Sequence, residues 1–272
     1  MSALPDARRE FRSLLDPWPA AALHASLDLP GSPPSLGLPL LWHWLYFLET
    51  PARSTQGPDG HARTGSFFPE IPQPRRMFVG ARCQLHRRLQ LQTPARMVES
   101  ILGSEQKQGS AGPMTLLKVG YRYYQREELC IEEERDFMYL PARDARPETP
   151  HDGDLLPVPE ADLSLELDTD PVLLFRFSAL TFNGHRIHYD ADYARDVERY
   201  PGPVVHGPLT ALLLAGLAGE ANPGISRFAF RARAPLYCGD RLRLRGELGD
   251  GQISLTAYRP DGVVAMTAEA NE

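Results

Sequence analysis

The stretch Leu209 to Leu217, Leu-Thr-Ala-Leu-Leu-Leu-Ala-Gly-Leu, is apolar on nearly every face of a helix. A helix with one apolar stripe can lie on a surface, but one that is apolar all round has to be enclosed. Its entry reads Val204-Val205-His206-Gly207-Pro208. Pro208 suits the first turn, where a missing N–H leaves nothing unpaired. Gly216, Gly219 and the turn Asn222-Pro223-Gly224 end the helix. The apolar run is about half as long as a membrane span needs, so the enclosure has to be protein. Strands follow: Ile225 to Arg233, Asp240 to Glu247, Gln252 to Arg259 and Val263 to Ala268. Gly239-Asp240, Gly249-Asp250-Gly251 and Pro260-Asp261-Gly262 supply tight turns between them. The expected unit is a buried helix wrapped by an antiparallel sheet.

The first half carries similar ingredients in a weaker form. Residues 8–25 place Phe11, Leu14, Leu15, Trp18 and Leu23 at helical spacing. Gly31 to Pro39 reads as a connector, and the aromatic run Leu40 to Leu48 as a short buried helix. Gln56 to Pro74 is Gly- and Pro-rich without periodicity, the mark of a functional or flexible loop. Val79 to Leu89, Ala95 to Gln106, Met114 to Tyr124 and Leu129 to Tyr139 then read as long antiparallel strands. Glu132, Glu133, Glu134 and Asp136 are expected on one solvated edge. Ala142 to Ala161 has linker composition. The organisation expected is a degenerate first domain over 1–145, a linker over 146–165 and a second domain over 166–272. That second domain opens with a strand at Val172 to Phe177, and Ala191 to Tyr200 reads as a short helix or lid. The order of elements suggests two copies of one architecture, without a strict sequence repeat.

Chemistry concentrates in Thr181-Phe182-Asn183-Gly184-His185-Arg186-Ile187-His188-Tyr189-Asp190, where two imidazoles, an amide and a guanidinium crowd together. Histidine moves protons well because its ordinary pKa lies near neutrality. The start of the apolar helix offers oriented N–H groups to a developing negative charge, and Gly207 lets a substrate approach that backbone. His185 and His188 alone do not make a metal site, since no cysteine or carboxylate pattern completes one, and no metal is expected. Cys83, Cys130 and Cys238 are far apart and odd in number, which fits free thiols in a reducing compartment. A net charge of −6 argues against binding driven by nucleic-acid phosphates. Met1 to Glu10 lacks the apolar core of a secretory signal, so the expected location is the cytoplasm, away from membranes. Exposed strand edges make a homodimer the expected assembly.

Over residues 170–270 the chain resembles the MaoC-like hydratases and dehydratases. Their pattern is Asp-x-Asn-Pro-x-His, followed by His-Gly at the start of the central helix of a hot-dog fold. Aligning the last histidine with His188 puts Asn183 at the aspartate position, His185 at the asparagine, Arg186 at the proline, and His206-Gly207 at the His-Gly pair. Asp59-Gly60-His61 and Pro74-Arg75-Arg76-Met77-Phe78-Val79-Gly80 resemble the degenerate N-terminal dehydratase domain of one branch of this family. The Thr-Phe-Asn-x-His-Arg-Ile-His-Tyr-Asp spelling is similar to hydroxyacyl-thioester dehydratases and to mesaconyl-CoA or itaconyl-CoA hydratases.

The resemblance implies an α+β double hot-dog, each half a long helix wrapped by a sheet, and a hydro-lyase acting on acyl-CoA without a further cofactor. It implies His188 as base and acid, Asn183 as orienter of water and substrate, and Gly207 as donor to the thioester oxygen. His206 is expected to fix the turn beside the substrate. Arg186 either holds its loop or meets a second carboxylate on the acyl group, and Arg76 with Arg75 is a candidate for the phosphates of coenzyme A. An amide at 183 cannot take a proton from water, so either His188 acts alone or another carboxylate such as Asp190 substitutes. A non-catalytic acyl-thioester-binding subunit and a hot-dog thioesterase are the rival readings.

Overall fold

The computed structural model describes residues 7–109, 112–143 and 155–272. The first half begins with β1 (Arg8–Leu14), and Asp16 then caps α1 (Pro17–Ser26) by accepting from Trp18 N at 2.7 Å. The single helix expected over 8–25 is therefore a strand and a helix, divided at Asp16-Pro17. β1 alternates exposed and half-buried positions, and Asp-Pro starts a new helix because the side chain satisfies a free N–H while proline lacks one. The short buried helix expected within Leu40 to Leu48 is a one-turn 3-10 helix, Trp42–Leu45, with all four residues buried. Four long strands complete the half: β2 (Arg75–Leu85), β3 (Pro94–Gly109), β4 (Gly112–Gln125) and β5 (Glu128–Leu140).

The second half repeats the opening. β6 (Leu163–Asp168) leads to Asp170, which caps α2 (Pro171–Leu180) through Leu173 N at 2.7 Å. The strand expected at 172–177 is thus a helix. Its buried positions, Leu173, Leu174, Phe177, Ser178 and Leu180, follow helical spacing, and a short apolar run is ambiguous without the cap signal. The end of the expected linker, 163–165, belongs to β6, while 144–154 lies outside the described residues. The polar segment after His188 forms a π-turn at Tyr193–Val197. α3 (Gly207–Ala221) is the enclosed helix, followed by β7 (Arg227–Ala232), β8 (Arg241–Leu248), β9 (Gln252–Tyr258) and β10 (Val264–Asn271).

All ten strands join one antiparallel sheet in the order β1-β3-β4-β5-β2-β7-β10-β9-β8-β6. Adding five to each strand number of the first half reproduces the second half read from the opposite edge. The halves meet at β2–β7, paired from Gly80↔Arg231 to Gln84↔Arg227. This is the double hot-dog, two copies of one topology back to back across a pseudo-twofold seam. The copies differ between the first helix and the second strand. There the second half has α3, with Leu209, Leu212, Leu213, Leu214 and Leu217 buried against its sheet, each contributing about 1.5–3 kcal/mol. The first half has only 3-10 turns and the 56–74 loop, so the long helix expected in each half is present in one among the described residues.

The acidic edge also differs from expectation. Glu133 points inward, where His43, Trp44 and Arg135 bond it at 3.0, 2.9 and 2.8 Å. Burial alone would raise its pKa, but the Arg135 charge and the His43 hydrogen bond hold it down at about 2. Cys83, Cys130 and Cys238 are free thiols. No helix among the described residues is long and apolar enough to cross a membrane.

Candidate active site

Two short segments of the second half are stitched together by the backbone. Val204 N donates to Ile187 O at 2.8 Å, which brings the one-turn helix Arg186–His188 against the extended segment that enters α3. His188 Nδ1 lies 2.7 Å from Val204 O. A carbonyl can only accept, so Nδ1 carries the proton and Nε2 keeps its lone pair. Burial pushes the His188 pKa down to about 4, so the ring is a neutral base at physiological pH. Its face stacks on His206, with centroids 3.7 Å apart and planes 18° from parallel. His206 is fully buried and bonds Ser178 of α2 at 2.8 Å, so it supports the His188 ring from behind and is not in the cavity wall.

Asn183 follows α2 and accepts from His185 N at 3.0 Å, closing a local turn. Its oxygen is committed there, which leaves the amide NH2 for a ligand. Gly207 is the first residue of α3, and a Cβ built on it would stand 3.8 Å from Phe78 O. Side chains from both halves surround a cavity of about 1430 Å³. His61, Arg76, Asn183, His185, His188 and Gly207 all line it, while Phe68, Phe78 and Phe137 form apolar wall. The cavity lies on the side where the first half carries loop in place of a central helix.

The acyl-end residues named from sequence do not all reach this space. Arg186 pairs with Asp190 at 2.7 Å, donates to Pro58 O at 3.1 Å and covers the Tyr193 ring. Asp190 also accepts from Tyr193 N at 2.9 Å. Neither lines the cavity, so Arg186 holds its loop and Asp190 does not stand in for the missing aspartate. Arg75 is buried, bonding Glu198 at 2.7 Å and Tyr200 at 3.1 Å, and so ties β2 to the segment after the π-turn. Arg76 opens β2 beside it and faces the cavity.

Sequence reasoning missed what the 56–74 loop contributes. Asp59 Oδ2 lies 3.1 Å from His61 Nδ1, and the His61 ring is 4.3 Å from the His185 ring. Arg186 N donates to Asp59 O at 2.8 Å, clamping this loop onto the His185–His188 segment. Gly60 is required there: its φ is +92°, and a Cβ would sit 1.9 Å from Gly184 O. Burial lowers the pKa of His61 and of His185, so both rings are neutral. For Asp59 burial acts upward, but the His61 hydrogen bond and charge hold the carboxyl below its usual value. Donor atoms of Asp59, His61 and His185 all lie within 4.8 Å of one another. This set draws its carboxylate, Asp59, from the other half; Asp59 bonds His61 and does not itself line the cavity, and among the described residues these three side chains lie close enough together to hold a cation. The length and composition of the loop were the signal available, without saying which residues face inward.

A neutral imidazole with a free nitrogen, set beside a helix N-terminus over an acyl-sized cavity in a double hot-dog, defines a hydro-lyase of acyl thioesters. Comparison with known proteins agrees. Residues 41–238 match the family described as hydroxyacyl-thioester dehydratase type 2, and the chain belongs to that family. It is 46% identical over 252 residues to a mesaconyl-C(4)-CoA hydratase of Chloroflexus aurantiacus, covering 92% of this chain and 89% of that one. The fold is shared with a MaoC-like dehydratase from Phytophthora capsici at a TM-score of 0.65 and 14% identity, covering 98% and 96% of the two chains. It is also shared with a Mycobacterium tuberculosis protein described as a double hot-dog, at a TM-score of 0.57 and 16% identity, covering 98% and 96%.

Proposed function

We propose that this protein adds water reversibly to the double bond of a short α,β-unsaturated acyl-CoA, and that the acyl group is a diacid of the mesaconyl type. The observation that carries the chemistry is His188, whose Nδ1 is committed to Val204 O and whose Nε2 is the free base on the cavity side of a residue that lines it. Water bonds through oxygen to the β-carbon as one of its protons passes to His188 Nε2. The π electrons move to the α-carbon and onto the thioester oxygen, where the Gly207 N–H at the head of α3 meets the charge. The imidazolium then returns the same proton to the α-carbon. The Asn183 amide NH2 orients the water or the thioester, and the Asp59–His61 pair presents a second neutral imidazole to the same space. Every step uses groups of the chain, with coenzyme A as part of the substrate and no further cofactor. The free thiols and a coenzyme A substrate fit a cytoplasmic enzyme.

The test is loss of the enoyl-thioester absorbance with crotonyl-, mesaconyl-C4- and itaconyl-CoA. Wild type is expected to hydrate at least the mesaconyl thioester, and His188→Ala to lose about 10²–10⁴ in kcat. A folded wild type inert toward all three, or a His188→Ala variant as active as wild type, overturns the assignment.

A further inference from the structure

We propose that Arg76 is the receptor for a second carboxylate on the acyl group, the feature that separates a diacid thioester from a simple enoyl thioester. The inference rests on the hydratase reading above and adds the residue that selects the substrate. Of the arginines lining the cavity, Arg9 is neutralised by Glu49 and Glu99 and Arg135 by Glu133, while Arg63 donates to Gln56 O, Arg143 lies over the Tyr200 ring and Arg233 also reaches the wall. Arg76 is half-buried and has no carboxylate partner among the described residues. Its guanidinium lies 4.4 Å from the centroid of Phe137 and 5.3 Å from that of Phe68. Rings against the guanidinium hold its orientation and leave N–H groups for an anion. A cation partly removed from water without a counter-ion is costly, and an incoming carboxylate relieves that cost with two parallel hydrogen bonds.

Position agrees with chemistry. Arg76 precedes Phe78 by two residues on β2, about 7 Å along the strand, and the Phe78 carbonyl borders Gly207 at the proposed thioester oxygen site. Its charge also contributes to holding His61 and His185 neutral, which places it near the histidine end of the cavity. A carboxylate carried on the β-carbon, the atom that water attacks, would therefore approach Arg76 while the thioester approaches Gly207. Arg186, the other candidate, already has Asp190 and points away from the cavity wall.

An arginine in such a cavity could instead hold a phosphate of coenzyme A, so the experiment separates the two anions. Arg76→Met and Arg76→Lys are compared with wild type on mesaconyl-C4-CoA and crotonyl-CoA, and on the corresponding N-acetylcysteamine thioesters, which lack the nucleotide. The readout is the ratio of kcat/KM for diacid over monoacid on one preparation, so loss of folded protein cancels. Arg76→Met is expected to lower that ratio about 10- to 100-fold, mainly through KM, with either carrier, and Arg76→Lys to restore part of it. Equal losses for both acyl groups that vanish with the N-acetylcysteamine thioesters assign Arg76 to a phosphate and overturn the proposal, as does an unchanged ratio. If wild type hydrates neither substrate, calorimetric binding of methylsuccinyl-CoA against butyryl-CoA carries the same ratio. The hydratase reading then fails while the carboxylate subsite is still decided.

Discussion

At the scale of single residues the site is a matter of which nitrogen holds the proton. Val204 O fixes that for His188, and burial sets its pKa at about 4. At neutral pH a group of this pKa is almost wholly in its neutral, proton-accepting form, and its conjugate acid gives the proton up readily. The pH profile follows with a definite sign. Protonation of His188 abolishes the base, so the acid limb of kcat/KM, which reports the free enzyme, belongs near pH 4 and not near the ordinary value of about 6.5. Hydration measured from pH 5.5 to 8 should be flat apart from substrate lability. An inflection near 6.5 that survives replacement of each of His61, His185 and His206 in turn would mean the His188 ring is solvated and its low pKa is wrong. None of this was legible in the sequence beyond the choice of His188 itself, because the tautomer depends on a carbonyl sixteen positions away.

At the scale of elements the decisive contact is loop on loop. Asp59-Gly60-His61 lies against Asn183-Gly184-His185 so closely that no side chain fits at 60. Gly60→Ala should cost about 1–2 kcal/mol from its backbone angle and more from the collision with Gly184 O. Gly65 has nearly the same φ, +94°, with nothing within 4 Å, so Gly65→Ala isolates the backbone part. Thermal unfolding and kcat of the two variants are compared; equal effects would mean that the contact at Gly60 contributes nothing. Legibility at this scale was uneven for identifiable reasons. α3 and the strands after it announced themselves through an all-round apolar run and Gly-Asp turns. Asp16-Pro17 and Asp170-Pro171 were equally explicit cap signals, but apolar spacing before and after them obscured the breaks. β6 alternates Leu-Ser-Leu-Glu-Leu-Asp, a half-buried strand pattern hidden by the acidic, proline-rich residues preceding it. The cross-half contact of Asp59 and His61 with His185 has no local sequence signature at all.

At the scale of the molecule one half keeps the helix and the other yields the room. The strand order shows two equal topologies, yet only the second encloses α3, and the cavity draws its walls from both. The proposed catalytic groups, the loop packed on them and the proposed selector Arg76 are thereby distributed across the β2–β7 seam, so on this reading neither half alone makes the site. The same arrangement packs His61, His185, His188 and His206 together, His61 half-buried and the other three buried, each with its pKa lowered primarily by desolvation. In the unfolded chain these rings titrate near 6.5. Between that value and about 4, taking His188 as the marker, the unfolded state binds protons that the native state refuses, so stability must rise with pH across this window. It is fully present above about 6.5 and is lost as pH falls. Glu133, held at about 2 in the native state against about 4.5 in the unfolded chain, adds a loss of the same sign that sets in mainly below about pH 5, so the histidine contribution is read between pH 7.5 and 5. Urea midpoints at pH 7.5, 6 and 5 should therefore fall in that order. Replacing His61 and His206 together by Gln should flatten the decline, since two of the excluded protonations are removed from the unfolded state. A midpoint that stays constant from 7.5 to 5 would require these rings to protonate in the folded protein, and the neutral-imidazole site would go with it.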